Sequence, residues 1–232
     1  MSLRVLGLVP ARGGSKGVPR KNERTLAGQT LLERTRDAAV ASGVIDRVVL
    51  STDSESIAAL GESLGLDVPF RRPAELATDE APMLGVVEHA LRALAESGYR
   101  PDAVALLQPT SPLRRPEHIA AAVQLLTADA TSVVAVTRIP PHLSPHWAWR
   151  IDSDRLIPFL PDGGGRIVRR QEVPAAYFRN GTIYLTRTEV VLDNHDLYGE
   201  RCVPLVIPEE DALTIDTEAD WNLAERRLTG VT

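Results

Sequence analysis

Short apolar runs alternate with longer stretches of helical spacing along the first 137 residues. Leu3–Pro10 is apolar and bounded by a glycine-rich loop, which predicts a buried strand. Thr30–Ser42 carries Leu31, Leu32, Thr35, Ala38 and Ala39 at helical spacing, with Gly43 positioned to end the helix. The same rhythm predicts a strand at Arg47–Thr52, a helix at Ser54–Leu64 closed by Gly65, and an extended piece at Val68–Arg71. Pro82–Glu96 follows as a helix with Leu84, Val87, Leu91 and Leu94 on one stripe. Ala103–Leu107 reads as a strand, Pro116–Thr127 as a helix with proline at its start, and Ser132–Thr137 as a strand.

Strand–helix alternation of this kind implies parallel pairing through right-handed crossovers. The expected fold is α/β: a three-layer α/β/α, Rossmann-like domain with a mostly parallel sheet. Ligands bind such sheets outside the carboxyl ends of the strands. The segments to watch are therefore Ala11–Asn22, Asp53 onward, Gln108–Arg115 and Arg138 onward. The rhythm breaks between residues 138 and 179, where prolines and Gly163–Gly165 replace any clean helix. That stretch reads as a lobe inserted into a single domain spanning residues 1–232, with antiparallel strands at Trp147–Ile151 and Arg155–Phe159. Strands at Thr182–Leu185 and Cys202–Ile207 and a helix at Glu218–Leu228 complete the pattern.

Composition narrows the chemistry. A formal net charge of −5 disfavours a nucleic-acid-coating protein. Against that acidic background Arg12, Lys16, Arg20, Lys21 and Arg24 crowd into one short segment, which suits an anionic ligand. The single cysteine, Cys202, excludes an intrachain disulfide, and no Cys/His spacing suggests structural zinc. No apolar run approaches the ~18 residues needed to span a bilayer, and the first residues lack a signal-peptide pattern. The expectation is a cytoplasmic protein acting on small molecules, with neither nucleic acid nor membrane as partner.

The loop after the first strand reads Ala11-Arg12-Gly13-Gly14-Ser15-Lys16-Gly17-Val18-Pro19-Arg20-Lys21-Asn22. Glycines let backbone N–H groups approach a phosphate and form an anion-binding concavity. Arg12 adds a bidentate donor, while Lys16 and Lys21 add compact charges. The spacing is neither a Walker A loop nor GxGxxG. A triphosphate is the expected ligand.

Leu8–Gly17 with Pro19 and Lys21-Asn22 resembles the signature of the acylneuraminate (CMP–sialic acid) cytidylyltransferase family. Ser51-Thr52-Asp53, Arg72–Ala77, Leu106–Arg114, Asn180-Gly181 and Ile215–Glu218 resemble further family segments, in the same order. The resemblance covers nearly the whole chain. It implies Mg²⁺-dependent transfer of CMP from CTP to the anomeric hydroxyl of a nonulosonic sugar, with release of pyrophosphate, by a homodimer whose inserted lobe makes the subunit contact. On that resemblance Arg12, Lys21 and Asp216 are the catalytic candidates. Ala11, Arg12, Gly13, Gly14, Ser15, Lys16, Lys21, Asn22, Arg72 and Gln108 are the nucleotide-binding candidates. Gln108, Arg170, Gln171 and Asn180 face the acidic sugar, and Asp216 holds the metal.

Three positions depart from the family pattern. Thr214-Ile215-Asp216 stands where the resembled enzymes carry Asp-Ile-Asp, leaving one carboxylate. A strand would still point Thr214 toward the metal as a neutral hydroxyl. Asp79-Glu80-Ala81-Pro82-Met83 stands where family members that read cytosine carry serines; Pro82 and Met83 cannot make those side-chain hydrogen bonds, and Met83 suits the first buried position of its helix. Pro145-His146-Trp147 lacks the lysine offered to the sugar carboxylate, which leaves Arg170 as its bidentate donor. These departures motivate an alternative: GTP or another nucleotide, with a sugar 1-phosphate or phosphonate as acceptor.

Asp152-Ser153-Asp154 matches the DxD of glycosyltransferases but reads better as a hairpin turn. Pro145 separates His142 from His146 and argues against a metal pair, and Asp193–Asp196 reads as a loop. Trp147 and Trp149 suit either base stacking or a subunit contact.

Overall fold

A computed structural model describes residues 3–14, 16–160 and 169–230. Its centre is a six-stranded sheet in the order β10-β6-β9-β5-β1-β4. These strands are β1 (Val5–Pro10), β4 (Arg47–Ser51), β5 (Ala103–Leu106), β6 (Ser132–Arg138), β9 (Tyr177–Arg187) and β10 (Cys202–Val206). β1 pairs in parallel with β4 and β5, and β10 pairs in parallel with β6. β9 lies between β5 and β6 and runs antiparallel to both. The sheet is therefore mixed on one side, and β5 and β6, successive strands in the chain, are not neighbours.

Alternation along β1 fixes the layers. Val5 and Val9 pack with Leu32, Ala38 and Ala39 of α1 (Leu31–Ala41), Ile57 of α2 (Glu55–Ser63), and Ile119 and Ala122 of α4 (Pro116–Leu125). Leu6 and Leu8 face the other way, onto Val87, Ala90, Leu91 and Leu94 of α3 (Met83–Glu96) and Val191 of α5 (Thr188–Asn194). Helices thus cover both faces, giving the three-layer α/β fold.

Local chemistry sets the helix ends. Thr30 and Glu33 form a reciprocal capping box on α1, Ser54 caps α2, and Gly65 follows α2 with φ +79°. The stretch predicted as extended at Val68–Arg71 forms no strand; the chain touches the sheet by a single bridge, Val49 to Asp67. α5 was not expected, and it takes in Asp193 and Asn194, read as loop from the sequence. Seven residues offer too few turns for a helical period to show. A small hairpin of β2 (Thr25–Leu26) and β3 (Gln29–Thr30) was likewise unforeseen.

Between β6 and β9 a separate hairpin forms from β7 (Trp149–Asp152) and β8 (Arg155–Pro158). Ser153 sits at its turn with φ +58°, so the DxD triplet is a turn, and its residues are exposed. Gly163–Gly165 lie outside the described residues.

A third cluster closes one end of the molecule. Trp221 and Ala224 of α6 (Glu218–Thr229) pack with Ile215, Val18, Leu26 and Leu31. Trp221 is fully buried beneath the Arg24 guanidinium, 4.3 Å from its ring centroid. This cluster joins the loop after β1 to the segment before α6. Trp221→Ala should cost about 3–5 kcal/mol, the usual loss for a buried tryptophan. A denaturant titration checks this, and a loss below about 1 kcal/mol would contradict the placement.

Candidate functional site

Two close contacts bring the ends of the chain together at the carboxyl ends of β1 and β5. A Cβ on Gly17 would lie 1.9 Å from the carbonyl oxygen of Asp216, so only glycine permits this approach. Ile215 N–H donates to the Thr110 carbonyl at 2.8 Å, which fastens the same segment to the loop after β5. Around these contacts opens a cavity of about 480 Å³.

Arg12, Lys16, Lys21 and Arg72 line the cavity, opposed there by the Asp216 carboxylate. Lys21 donates to the Ile215 carbonyl at 2.7 Å. Burial draws the Lys21 amine below the ordinary lysine range; nearby Asp216 opposes that shift and Arg12 adds to it. Arg72 is buried, its Nε donating to the Ser51 hydroxyl at 3.1 Å and Nη2 to the Ser51 carbonyl at 2.5 Å. Burial lowers Arg72 to about 10, with Asp53 opposing, so it keeps its charge at neutral pH. Asn22 is buried, donates to the Arg12 carbonyl at 3.3 Å and also lines the cavity. Gln108, Met83 and Thr214 complete the walls that concern recognition. Such excess positive charge in a concave site suits a polyanion.

Other nucleotide candidates are placed differently. Ala11 is buried and its N–H donates to the Ser51 carbonyl at 3.0 Å, so that amide is not offered to a phosphate. Gly13 N–H donates to Asp53 Oδ1 at 3.1 Å, which commits it as well. Gly14 is exposed with open space around it, as a backbone donor to an incoming ligand requires. Ser15 lies outside the described residues.

On the sugar side, Gln108 alone among the described side chains predicted there reaches the cavity. Asn180 is buried, donating to Thr137 Oγ1 at 2.8 Å and accepting from Thr182 N–H at 3.0 Å. Both ends of its amide thus have partners inside the fold, and it is not among the residues lining the cavity. Gln171 lines a separate small cavity with Arg138, Ser144 and Pro174. The Arg170 side chain lies outside the described residues.

Thr214 and Asp216 do share the cavity, although no strand forms there. The Thr214 hydroxyl donates to the Asn180 carbonyl at 3.0 Å. Met83 opens α3, is half-buried against the core and also lines the cavity. Among the described residues no group of three or more His, Cys, Asp or Glu side chains could hold a metal unaided.

Sequence reasoning places Asp79 in a segment that departs from the family pattern but misses its pairing. Its two carboxylate oxygens each take one cation, Arg12 on Oδ1 and Lys16 on Oδ2. Hydrogen bonds from Lys16 and then Arg12 hold it below the usual carboxylate range. A carboxylate spread between two cations is the arrangement a phosphate would take.

A concave, strongly cationic pocket at the strand ends of a three-layer α/β fold defines a protein built to hold a small polyanion. Residues 6–144 match the family model described as Cytidylyltransferase. The chain is 36% identical over 237 residues to the CMP-N,N'-diacetyllegionaminic acid synthase of Legionella pneumophila, covering 97% of each. It is 34% identical to the N-acylneuraminate cytidylyltransferase of Escherichia coli over 97% of this chain and 52% of that protein. The chain therefore spans nearly all of the first relative and about half of the second. Among solved structures, a CMP:2-keto-3-deoxy-manno-octonic acid synthetase complexed with CTP superposes with a TM-score of 0.74 at 14% identity, covering 99% of this chain and 100% of that one. The 4-diphosphocytidyl-2C-methyl-D-erythritol synthase of Anaerococcus prevotii gives 0.70 at 15% identity over the same shares. This chain belongs to the cytidylyltransferase family.

Any phosphate bound by Arg12 and Lys16 has to displace Asp79, which reduces apparent affinity by the fraction of free cations. Asp79→Asn should therefore bind CTP and free pyrophosphate several-fold more tightly in calorimetric titration. Weaker binding would show that Asp79 contributes to the bound state instead.

Proposed function

We propose that this enzyme transfers CMP from CTP to the anomeric hydroxyl of a nonulosonic, sialic-acid-like sugar and releases pyrophosphate. The observation that carries the reading is the cavity in which Arg12, Lys16, Lys21 and Arg72 converge opposite Asp216. The sugar oxygen attacks the α-phosphorus, a P–O bond forms, and the bond to the pyrophosphate oxygen breaks as the hydroxyl proton is lost. Such displacement depends on positioning and on neutralising charge.

Arg12, Lys16 and Lys21 bind the triphosphate, and Arg72 holds the wall of the pocket beside it. Gln108, in the same cavity wall, is the residue for the acceptor. Arg170 is the candidate for the sugar carboxylate, on its place in the sequence. Mg²⁺ fits this donor set: one carboxylate, Asp216, is enough when substrate phosphates and waters complete the shell. When bound, the ion neutralises charge on the departing pyrophosphate. No helix among the described residues is long and apolar enough to cross a membrane.

Release of pyrophosphate on incubation with CTP, Mg²⁺ and a panel of nonulosonic acids tests the reading; silence across the panel overturns it. Met83 in the cavity wall supports a second reading, in which the base is not cytosine. Thermal shift separates the two. A ligand at ~100 times its Kd stabilises by ~2.7 kcal/mol. CTP should give the largest shift of the four nucleotides, and a preference for GTP would favour the alternative.

Of the stretch 138–179, Arg138 and Tyr177–Arg179 belong to the paired ends of β6 and β9; we also propose that the segment between those strands is an inserted lobe that pairs two copies of the chain. Ile151, Leu156 and Phe159 are 77%, 66% and 60% exposed on the β7–β8 hairpin and beside it, an apolar surface suited to a subunit contact. Sedimentation equilibrium at micromolar concentration should give a dimer, and a monomer would contradict this.

A further inference from the structure

Arg114 is 6% exposed, and no ion pair to it is found among the described residues. Its donors go to neutral acceptors: Nε to the Thr182 carbonyl at 2.6 Å, Nη2 to the Gln108 carbonyl at 2.5 Å, and Nη1 to the Thr35 hydroxyl at 3.4 Å. Burial alone accounts for its depressed pKa, about 9. Burying a charge without a counter-ion is costly, and a well-packed apolar side chain is often as stabilising. Stability by itself therefore gives little reason for an arginine here.

The sheet register supplies a reason. β5 and β9 pair antiparallel from Ala103↔Arg187 to Leu106↔Tyr184. Continued by two residues, the same register would set Gln108 opposite Thr182. Ladder pairing stops short of that point, and the guanidinium bridges the carbonyls of those two residues instead. The other ladder of β9 is irregular nearby, between Val134 and Val136 of β6. In the opened space Gly181 adopts φ +75°. A Cβ on Gly181 would lie 3.2 Å from Gln108 Oε1, 3.3 Å from Ser111 Oγ and 3.6 Å from Thr214 Oγ1. Gln108 is thus seated against Gly181 where it lines the cavity.

We propose that Arg114 is a positioning residue: a wedge that holds β5 and β9 apart at their ligand-binding end and so sets Gln108 for the acceptor. The choice of acceptor over nucleotide rests on the cytidylyl-transfer reading above; the wedge itself does not. Arg114 touches no substrate. It acts through two backbone carbonyls that two nitrogens of its rigid planar fork reach together, where lysine offers one compact ammonium on a flexible stem and methionine no donor.

The experiment compares wild type with Arg114→Lys and Arg114→Met in two readouts. In the first, acceptor KM and kcat are measured at saturating CTP, and the CTP Kd is measured without acceptor. Arg114→Met should raise the acceptor KM at least about tenfold while leaving the CTP Kd within about twofold, with Arg114→Lys between it and wild type. A purely structural role would lower Tm and the active fraction without this split. Equal changes in both constants, or an unchanged acceptor KM in a folded variant, would overturn the assignment. In the second readout, amide hydrogen exchange is followed over residues 107–111 and 180–184 without substrate. Exchange about tenfold faster in the variants is expected, and unchanged exchange would overturn the wedge whatever the acceptor. If Arg114→Met fails to fold, Arg114→Lys decides both readouts by the same criteria. A wild-type protein that turns over no acceptor contradicts the transfer reading, and the exchange measurement still judges the wedge.

Discussion

The site depends on one contact, the approach of Gly17 to the carbonyl oxygen of Asp216. A side chain at residue 17 would overlap that oxygen, so the cationic loop after the first strand and the carboxylate near the last helix meet only because residue 17 has none. The cluster of Val18, Leu26, Leu31, Ile215 and Trp221 holds the two segments together from behind. Hydrophobic burial thus supplies the force that brings like charges into one cavity. Repulsion among Arg12, Lys16 and Lys21 is offset in the free protein by Asp79 and Asp216, and the bound polyanion would take over that role.

Polar groups around the cavity divide by what their donors already hold. Ala11, Gly13 and Asn180 are near the chemistry in sequence, yet their hydrogen bonds close on the protein itself. Arg72 stands between: it lines the cavity while two of its nitrogens hold the end of the neighbouring strand. Lys16 is mostly exposed and, among the described residues, pairs with the displaceable Asp79 carboxylate. A site built this way keeps its walls rigid and leaves its mobile charges for the ligand.

Four strands and the glycine- and cation-rich loop after β1 are legible in the sequence because their signals are local. β1, β4, β5 and β6 are apolar runs, and the glycines and cations of residues 11–22 follow β1 directly. β9 was read as only Thr182–Leu185, since Arg179, Asn180 and Gly181 interrupt any apolar run, and nothing local reveals that it runs antiparallel between β5 and β6. The resemblance implies Asn180 for the substrate, whereas its bond to Thr137 is set by sheet order and has no local signal. Arg114 sits within the motif Leu106–Arg114, but only the fold places its guanidinium across a strand gap. The pairing of Asp79 has no sequence signal, because its partners Arg12 and Lys16 come from another loop.

A larger cavity, of about 670 Å³, lies among Arg34, Arg115, Pro116 and Arg227, and it too offers arginines to an anion. It differs in having Asp37, Glu210 and Asp211 among its walls, and Asp211 already pairs with Arg115. The central claim is that the triphosphate belongs instead to the pocket closed by Gly17 and Asp216. A crystal structure with CTP and Mg²⁺ tests it most directly. The account predicts phosphate oxygens in contact with Arg12, Lys16 and Lys21, an ion at Asp216, and Asp79 withdrawn from both cations. A triphosphate seated beside Arg34 and Arg115, with Asp79 still in place, would contradict it.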